Sequence, residues 1–401
     1  MNRRKILLWG AAYAVAGGGT WLALRNSNAA NLANSAIDAV MIDPSEAHPF
    51  TVSDRSLRQQ RFGAGLDEKL WGMCFLPDGE ILVTEKETGR IRKLDRQYNV
   101  LPDPVGEIEE TALVGQGGLM DIEPDPDYRS NRTIWVAVAR RGPGGASTEL
   151  VKARLNSAAT RITRQETVIA TGPKHNGGQH FGGRIVFDDK GHVYLSLGDR
   201  GKRTPSQDLG DHTGSVLRLN RRDGSVPKDN PFIDTPGAKP EIWTYGHRNP
   251  QGMAVHPETG EIWLHEHGPR GGDEVNLLKA GANYGWPEIT HGREYGSGRT
   301  VGEGKFRDDV EPAKQIYIPS IAPSGMIIYS GRMFDDFKGD IFLGALRGQH
   351  LNRLVLDGDR VVRQERLLNG IGRIRSVEQA PDGAIWLLLD GGDRPLVRLS
   401  A

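Results

Sequence analysis

Residues 251–268 read QGMAVHPETGEIWLHEHG. A short apolar run, MAV, meets a Pro-Glu-Thr-Gly turn, and a second apolar run, IWL, follows it. Runs this brief, bounded by Pro and Gly and rich in β-branched and aromatic residues, predict strand, turn, strand rather than helix. Five other stretches repeat the plan at residues 71–95, 117–140, 182–199, 324–346 and 374–390, giving six copies with no helical periodicity. Self-similarity of this length indicates a β-propeller, whose blades number four to eight. One blade alone leaves both faces of its sheet open, and packing blades in a ring covers them and removes most free edges. The expectation is an all-β, six-bladed β-propeller, with a β-sandwich of irregular hairpins as the competing fold. Residues 200–240 and 284–323 add length between copies and are expected to form long loops that build a site at one end of the central channel.

Bulk composition agrees with this reading. The 401 residues carry 51 Lys and Arg against 51 Asp and Glu, so no basic surface for nucleic acid is indicated. The 52 glycines are spread along the chain, as many tight turns between short strands require. Cys74 is the one cysteine, which excludes a disulfide within the chain, and its apolar setting predicts a buried core thiol.

At the start, Arg3, Arg4 and Lys5 precede an apolar run over residues 6–24, followed by Asn26, Ser27 and Asn28. Residues 1–30 therefore read as an export signal, either cleaved or kept as a membrane anchor, because the run is just long enough to span a bilayer. Twin-arginine export would place Ser or Thr where Asn2 stands. Residues 31–60 read as a linker and 61–401 as the propeller. The protein is expected to be exported and periplasmic, soluble or tethered to the inner membrane through this segment alone.

The chemistry gathers around the opening stretch. Gly246 lets the chain turn ahead of Arg248 and Asn249, whose guanidinium and carboxamide suit a planar, anionic, carbonyl-bearing ligand. The Gly268-Pro269 loop leaves main-chain oxygens free, and such carbonyls suit calcium. In HNGGQHFGGR, His180 precedes a strand whose hairpin returns Asp199 in GDRG. Either His180 is a turn residue, or Asp199 fixes its tautomer and makes it a general base. Arg347 follows a strand in GALRGQH, and Arg373 and Arg375 sit two apart in GRIRSV, on one side of a strand. They are a solvated surface pair or hold an anion between them. Gln116, in VGQGGLMD, is a turn residue or a further ligand.

With these residues in hand, the chain resembles the soluble, six-bladed sugar dehydrogenases dependent on pyrroloquinoline quinone (PQQ), in particular their bacterial aldose sugar dehydrogenase branch. GQGGL, HFGGR with GDRG, GHRNPQG, EHGPRGGDE, NYGWP, PSIAPSGM, GAL and RIR occur in the family's order over nearly everything after Asp67. The resemblance implies oxidation of aldoses at C1 to lactones, with His180 as the base and Asp199 as its partner. It implies PQQ held by Gln116, Arg248, Asn249, Arg347, Arg373 and Arg375, and calcium on the carbonyls of Gly268 and Pro269. It further implies a structural calcium at Glu274 and Tyr284, a substrate contact at Tyr295, and an electron acceptor that is a quinone, cytochrome or dye.

Arg347 stands where the family often has Lys, Gly183 where Ser is common, and Gln179 where glucose-specific relatives carry an acid; these bear on substrate preference. Two other classes compete: a calcium-dependent, lactonase-like propeller hydrolase, which has no use for an arginine trio, and a propeller that only binds.

Overall fold

The computed structural model describes residues 51–53 and 56–401. The expected export segment, and the linker as far as residue 50, lie outside the described residues. Six sheets carry the chain, five of four strands and one of five. Taking each blade from its first strand outward, blade 1 holds Leu70–Phe75, Ile81–Glu85, Arg90–Leu94 and Gly106–Glu107. Blade 2 holds Leu119–Pro124, Thr133–Gly142, Gly145–Leu155 and Ile162–Ile169. Blade 3 is Gly182–Phe187, His192–Leu197, Ser215–Asn220 and Ile242–Tyr245, and blade 4 is Pro250–Val255, Ile262–Glu266, Asp273–Leu277 and Gln315–Tyr317. Blade 5 contains Pro323–Ile328, Ile341–Ala345, Leu351–Asp357 and Arg360–Leu367, with Thr51–Val52 added in parallel. Blade 6 contains Ile374–Gln379, Ile385–Leu389 and Leu396–Ser400, and its outer strand is Arg58–Phe62 from the other end of the chain.

The six repeats thus fall on the first two strands of the six blades, the copy at 71–95 running on into the third. Two expectations need correction. The extra stretches are not wholly loop: 200–240 supplies the third strand of blade 3 and 284–323 the fourth strand of blade 4. The propeller also begins inside the expected 31–60 linker, because Arg58–Phe62 pairs with Leu396–Ser400. RQQRF is mostly exposed and carries no apolar alternation, so its strand character comes from its partner and not from its own pattern.

The core lies between blades. Apolar clusters join neighbouring blades, such as Tyr194 and Val216 of blade 3 against Met253 and Leu264 of blade 4. The second strands repeat one register: Leu82, Trp135, Tyr194, Trp263, Phe342 and Trp386 sit opposite Cys74, Glu123, Val186, Ala254, Ile327 and Glu378. All six are at most 4 % exposed. A large side chain at this position in each blade fills the wedge to the next, and an aromatic there buries on the order of 150–250 Å². Cys74 is buried among them, as expected.

Arg184, on the first strand of blade 3, crosses the channel. It donates to Asp121 of blade 2, the Gln251 carbonyl of blade 4, and Ser376 and the Arg375 carbonyl of blade 6, and it lies over Trp71 of blade 1. Nothing in its spacing reveals this role, since one arginine in an apolar strand gives no direction.

Candidate active site

Antiparallel pairing sets where the chemistry falls. In blades 3, 4, 5 and 6 the start of the first strand faces the end of the second, through Gly182 and Leu197, Pro250 and Glu266, Pro323 and Ala345, and Ile374 and Leu389. Residues just before a first strand or just after a second strand therefore come to one end of the ring. His180, Arg248, Asn249 and Arg373 are of the first kind, and Asp199, Gly268, Arg347 and Asp390 of the second. In every blade the pairing of these two strands is broken by an irregularity near that end, which re-aims the side chains there. Bonds between blades tie this rim together: the Gln116 side chain accepts from the His180 amide (2.8 Å), the Asp199 amide donates to the Arg248 carbonyl (2.8 Å), and His267 Nε2 donates to the Pro323 carbonyl (2.6 Å).

His180 and Asp199 meet as the hairpin argument predicts. Nδ1 of His180 lies 2.5 Å from Asp199 Oδ1, which also accepts from the Gly201 amide at 2.7 Å. Asp199 is fully buried. Burial pushes its carboxyl up, but the bond from His180, the charges of His180 and Arg248, and the Gly201 amide outweigh that and hold it below the usual range. An ionised carboxylate only accepts, so His180 carries its proton on Nδ1 and leaves Nε2 with a free lone pair. Burial, offset by the bond to Asp199 and aided by Arg248, lowers the imidazole below its ordinary value, so the base form prevails at neutral pH. His180 holds a left-handed backbone (φ 50), as do Arg200 (φ 53) and Arg203 (φ 62). Non-glycine residues in that region are strained and cluster at functional sites. Gly198 permits the turn, since a Cβ there would lie 2.3 Å from the His180 carbonyl oxygen.

The basic residues form a connected series. Arg248 is buried and gives Nη1 to the carbonyls of His267 (3.0 Å) and Gly268 (2.6 Å), while its amide donates to Glu266 at 2.5 Å. Asn249 accepts from the Gly182 amide. Arg375 donates to Gln251 Oε1 at 2.8 Å, and Arg373 donates to the Leu346 carbonyl, beside exposed Arg347. Arg373 and Arg375 do share a side, and Asp390 lies between them at 3.1 and 3.6 Å. The anion their repulsion calls for is thus supplied in part by the protein itself, which spacing alone does not reveal. Burial lowers Arg375 to about 10, with Asp390 opposing and Arg373 and Arg184 reinforcing the shift. Arg248 Nε and Arg375 Nε are both buried and make no hydrogen bond.

The Gly268-Pro269 loop is fixed from beneath. Asp273 accepts from the Gly268 amide with one oxygen and from Ser320, Ile321 and Ala322 with the other. Burial still pushes Asp273 up to about 6 against those bonds. The Gly268 carbonyl accepts from Arg248 and the Pro269 carbonyl from the hydroxyl of exposed Tyr295 (2.9 Å); each oxygen has a second lone pair. Glu274 and Tyr284 line one small cavity with Glu311, His291 and Lys305. The Tyr284 hydroxyl is engaged by the Leu277 carbonyl and the Lys279 amide. Burial, then the charge of Glu266, pushes Glu274 well above the carboxylate range. Among the described residues no three His, Cys, Asp or Glu side chains converge as a metal-binding group.

Sequence reasoning missed Glu266, Gln251, Trp286 and Asp390. Glu266 and Asp390 each end or follow an apolar strand, a signal available in IWLHE and IWLLLD. At Gly183 the backbone has φ +99 and a Cβ would lie 2.9 Å from Met120 Sδ, so a serine there does not fit without movement of Met120.

The six-bladed ring brings the His180–Asp199 pair and the arginine series to one end of the propeller. The family description Glucose / Sorbosone dehydrogenase matches residues 67–398, and the chain belongs to that family. It is 38 % identical over 342 residues to the aldose sugar dehydrogenase YliI of Escherichia coli, covering 84 % of this chain and 91 % of the relative. The crystal structure of the soluble aldose sugar dehydrogenase from E. coli in the apo-form superposes with a TM-score of 0.82 at 36 % identity, covering 86 % of this chain and 99 % of that one. The PQQ-bound aldose sugar dehydrogenase of Streptomyces coelicolor gives 0.72 at 27 % identity over 86 % and 98 %. The chain is thus a sugar dehydrogenase-type propeller.

Proposed function

We propose that this protein oxidises aldoses at C1 to lactones with PQQ and calcium, using His180 as the base. The observation that carries the reading is the 2.5 Å His180–Asp199 contact beside buried Arg248, which leaves Nε2 as the unprotonated ring nitrogen. A tricarboxylate quinone fits the donors present: Arg248 and Arg375 each keep a buried Nε without a partner, and Gln116, Asn249, Arg347 and Arg373 share the rim. The Gly268 and Pro269 carbonyls keep the second lone pairs that a hard cation needs. When bound, PQQ supplies the two-electron acceptor and calcium polarises its quinone oxygen.

The chain's own part is to hold the sugar and manage its proton. His180 Nε2 takes the proton of the anomeric hydroxyl, and Asp199 stabilises the resulting imidazolium through Nδ1–H. Burial, aided by Arg248, lowers the His180 basicity, which keeps the ring neutral and ready before substrate arrives. Tyr295, exposed at the mouth, is the proposed sugar contact. Glu274, with Tyr284, is proposed to hold a second, structural calcium, a cation that would offset its unfavourable burial beside Glu266. The protein is proposed to act after export, passing electrons to a quinone, cytochrome or dye. The lactonase-like alternative requires converging carboxylate ligands, and the arginine series has no role in it.

The test is reconstitution. Purified apoprotein should reduce an artificial dye with aldose only after PQQ and calcium are both added, with cofactor absorbance and activity saturating together. Lack of cofactor-dependent oxidation across common aldoses ends the reading.

A further inference from the structure

Trp286 lies in the NYGWP segment, whose role in the chemistry is otherwise unassigned. Its indole Nε1 donates to Asp199 Oδ2 at 2.7 Å. With His180 and Gly201 on Oδ1, this completes a set of three donors around one buried carboxylate. The residue is 4 % exposed, and both ends of its peptide are held: its amide donates to the Gly246 carbonyl at 2.8 Å, and its carbonyl accepts from Gln207 Nε2 at 2.8 Å. Gly246 opens the loop that carries Arg248 and Asn249, so the backbone of Trp286 is fastened to the cofactor-side arginine while its side chain is fastened to the dyad. Two guanidiniums lie over its ring, Arg248 at 5.2 Å and Arg203 at 5.7 Å, and Arg203 in turn makes a two-point pair with Glu294 at 2.6 and 2.9 Å.

We propose that Trp286 is a positioning residue of the His180–Asp199 pair: its indole N–H fixes the orientation and charge of Asp199, and thereby sets the basicity and tautomer of His180. The proposal rests on the reading of His180 as the base, but its geometry does not depend on which sugar or acceptor is used. A carboxylate with one oxygen free rotates, or draws the Nδ1 proton more strongly. Spending the second oxygen on the indole prevents the first and weakens the second. The charged groups that face His180 are Asp199, Arg200 and Arg248, with Arg203 and Glu294 beyond the indole, and none of them donates to Asp199 Oδ2. Among the described residues, Trp286 is the side chain that bonds that oxygen.

Trp286→Phe keeps the ring face and removes the donor. Expected are a fall in kcat of about 10-fold with sugar KM within about 3-fold, the share expected of one hydrogen bond to a charged group. The sign on pH follows from the lost donor. Asp199 holds its charge less well shielded, favours the imidazolium, and moves the acid limb of kcat to higher pH.

Two measurements on the cofactor-free protein separate this from failure of the dehydrogenase reading. The His180 ring signal, assigned by its loss in His180→Ala, should titrate at higher pH in Trp286→Phe than in the unsubstituted protein. The Trp286 indole N–H resonance should sit downfield and shift upfield on Asp199→Asn, a test that needs no Trp variant to fold. An unmoved indole resonance in Asp199→Asn overturns the proposal, and so does an unmoved His180 titration in folded Trp286→Phe. If both move while no aldose is oxidised with PQQ, the positioning role stands and the assigned activity falls.

Discussion

Replacing Asp199 by Asn tests the dyad with almost no change of shape. Asp199 accepts from His180 Nδ1 and the Gly201 amide on one oxygen and from Trp286 on the other. Asparagine offers one oxygen and one NH2 to the same three donors. If its oxygen faces His180 and Gly201, the NH2 meets the Trp286 N–H. If its oxygen faces Trp286, the NH2 meets the Gly201 N–H and forces His180 to carry its proton on Nε2, where no lone pair remains to act as base. Either arrangement strands a buried donor, at a cost to stability of roughly 1–3 kcal/mol. The second removes base catalysis, worth about 10²–10⁴-fold, and the first loses the anion that stabilises the imidazolium. The expectation is a kcat lower by about two to four decades, or about 2.7–5.4 kcal/mol of barrier at 1.36 kcal/mol per decade. PQQ affinity should change little, because no arginine side chain bonds Asp199. Steady-state dye reduction at saturating PQQ and calcium measures the first, and absorbance titration the second. A folded Asp199→Asn enzyme turning over within about threefold of the unsubstituted protein would refute the reasoning.

Other substitutions probe the remaining parts. His180→Ala should retain PQQ binding and lose turnover; normal turnover would remove His180 from the mechanism. Arg375→Ala should weaken PQQ retention by at least about tenfold, and Arg373→Ala by less, because Arg373 is 47 % exposed and Arg375 14 %; dialysis followed by residual absorbance orders the two. Gly183→Ser should lower the unfolding midpoint by a few degrees, consistent with roughly 1–3 kcal/mol for strain at φ +99 against Met120; an unchanged midpoint would mean that Met120 yields freely. Glu378 is pushed up to about 8 by burial, then by Asp121, with Arg184 and Ser376 opposing. Its folded value exceeds its unfolded one, so the stability it contributes is complete below about pH 4.5 and is lost as pH rises through 8. Glu378→Gln should flatten that loss, as urea unfolding at pH 6 and pH 9 would register.

The blades were legible because each repeats a hairpin whose turn residues and apolar runs are local. The closing strand over residues 58–62 was not, since RQQRF becomes a strand only by pairing with residues at the far end of the chain. His180 and Asp199 were legible for the same local reason: one hairpin returns both to one edge. Trp286 and Gln251 act through partners on other blades and Asp390 through the adjoining strand of its own blade, and a spacing argument sees only neighbours along the chain. The arginine pair shows how this misleads, because repulsion was correctly expected to need an anion, while the carboxylate supplied by Asp390 lies on the adjoining strand.

Joining residues 58–62 to 396–400 has a bearing on how the protein is made. Until the ribosome has delivered the last of these residues, blade 6 lacks a strand and the ring stands open, with unpaired edges at the gap. Those edges are the kind that recruit other nascent chains, so a holding chaperone is most needed late in translation, and truncation at either partner strand should leave an aggregating product rather than a smaller propeller.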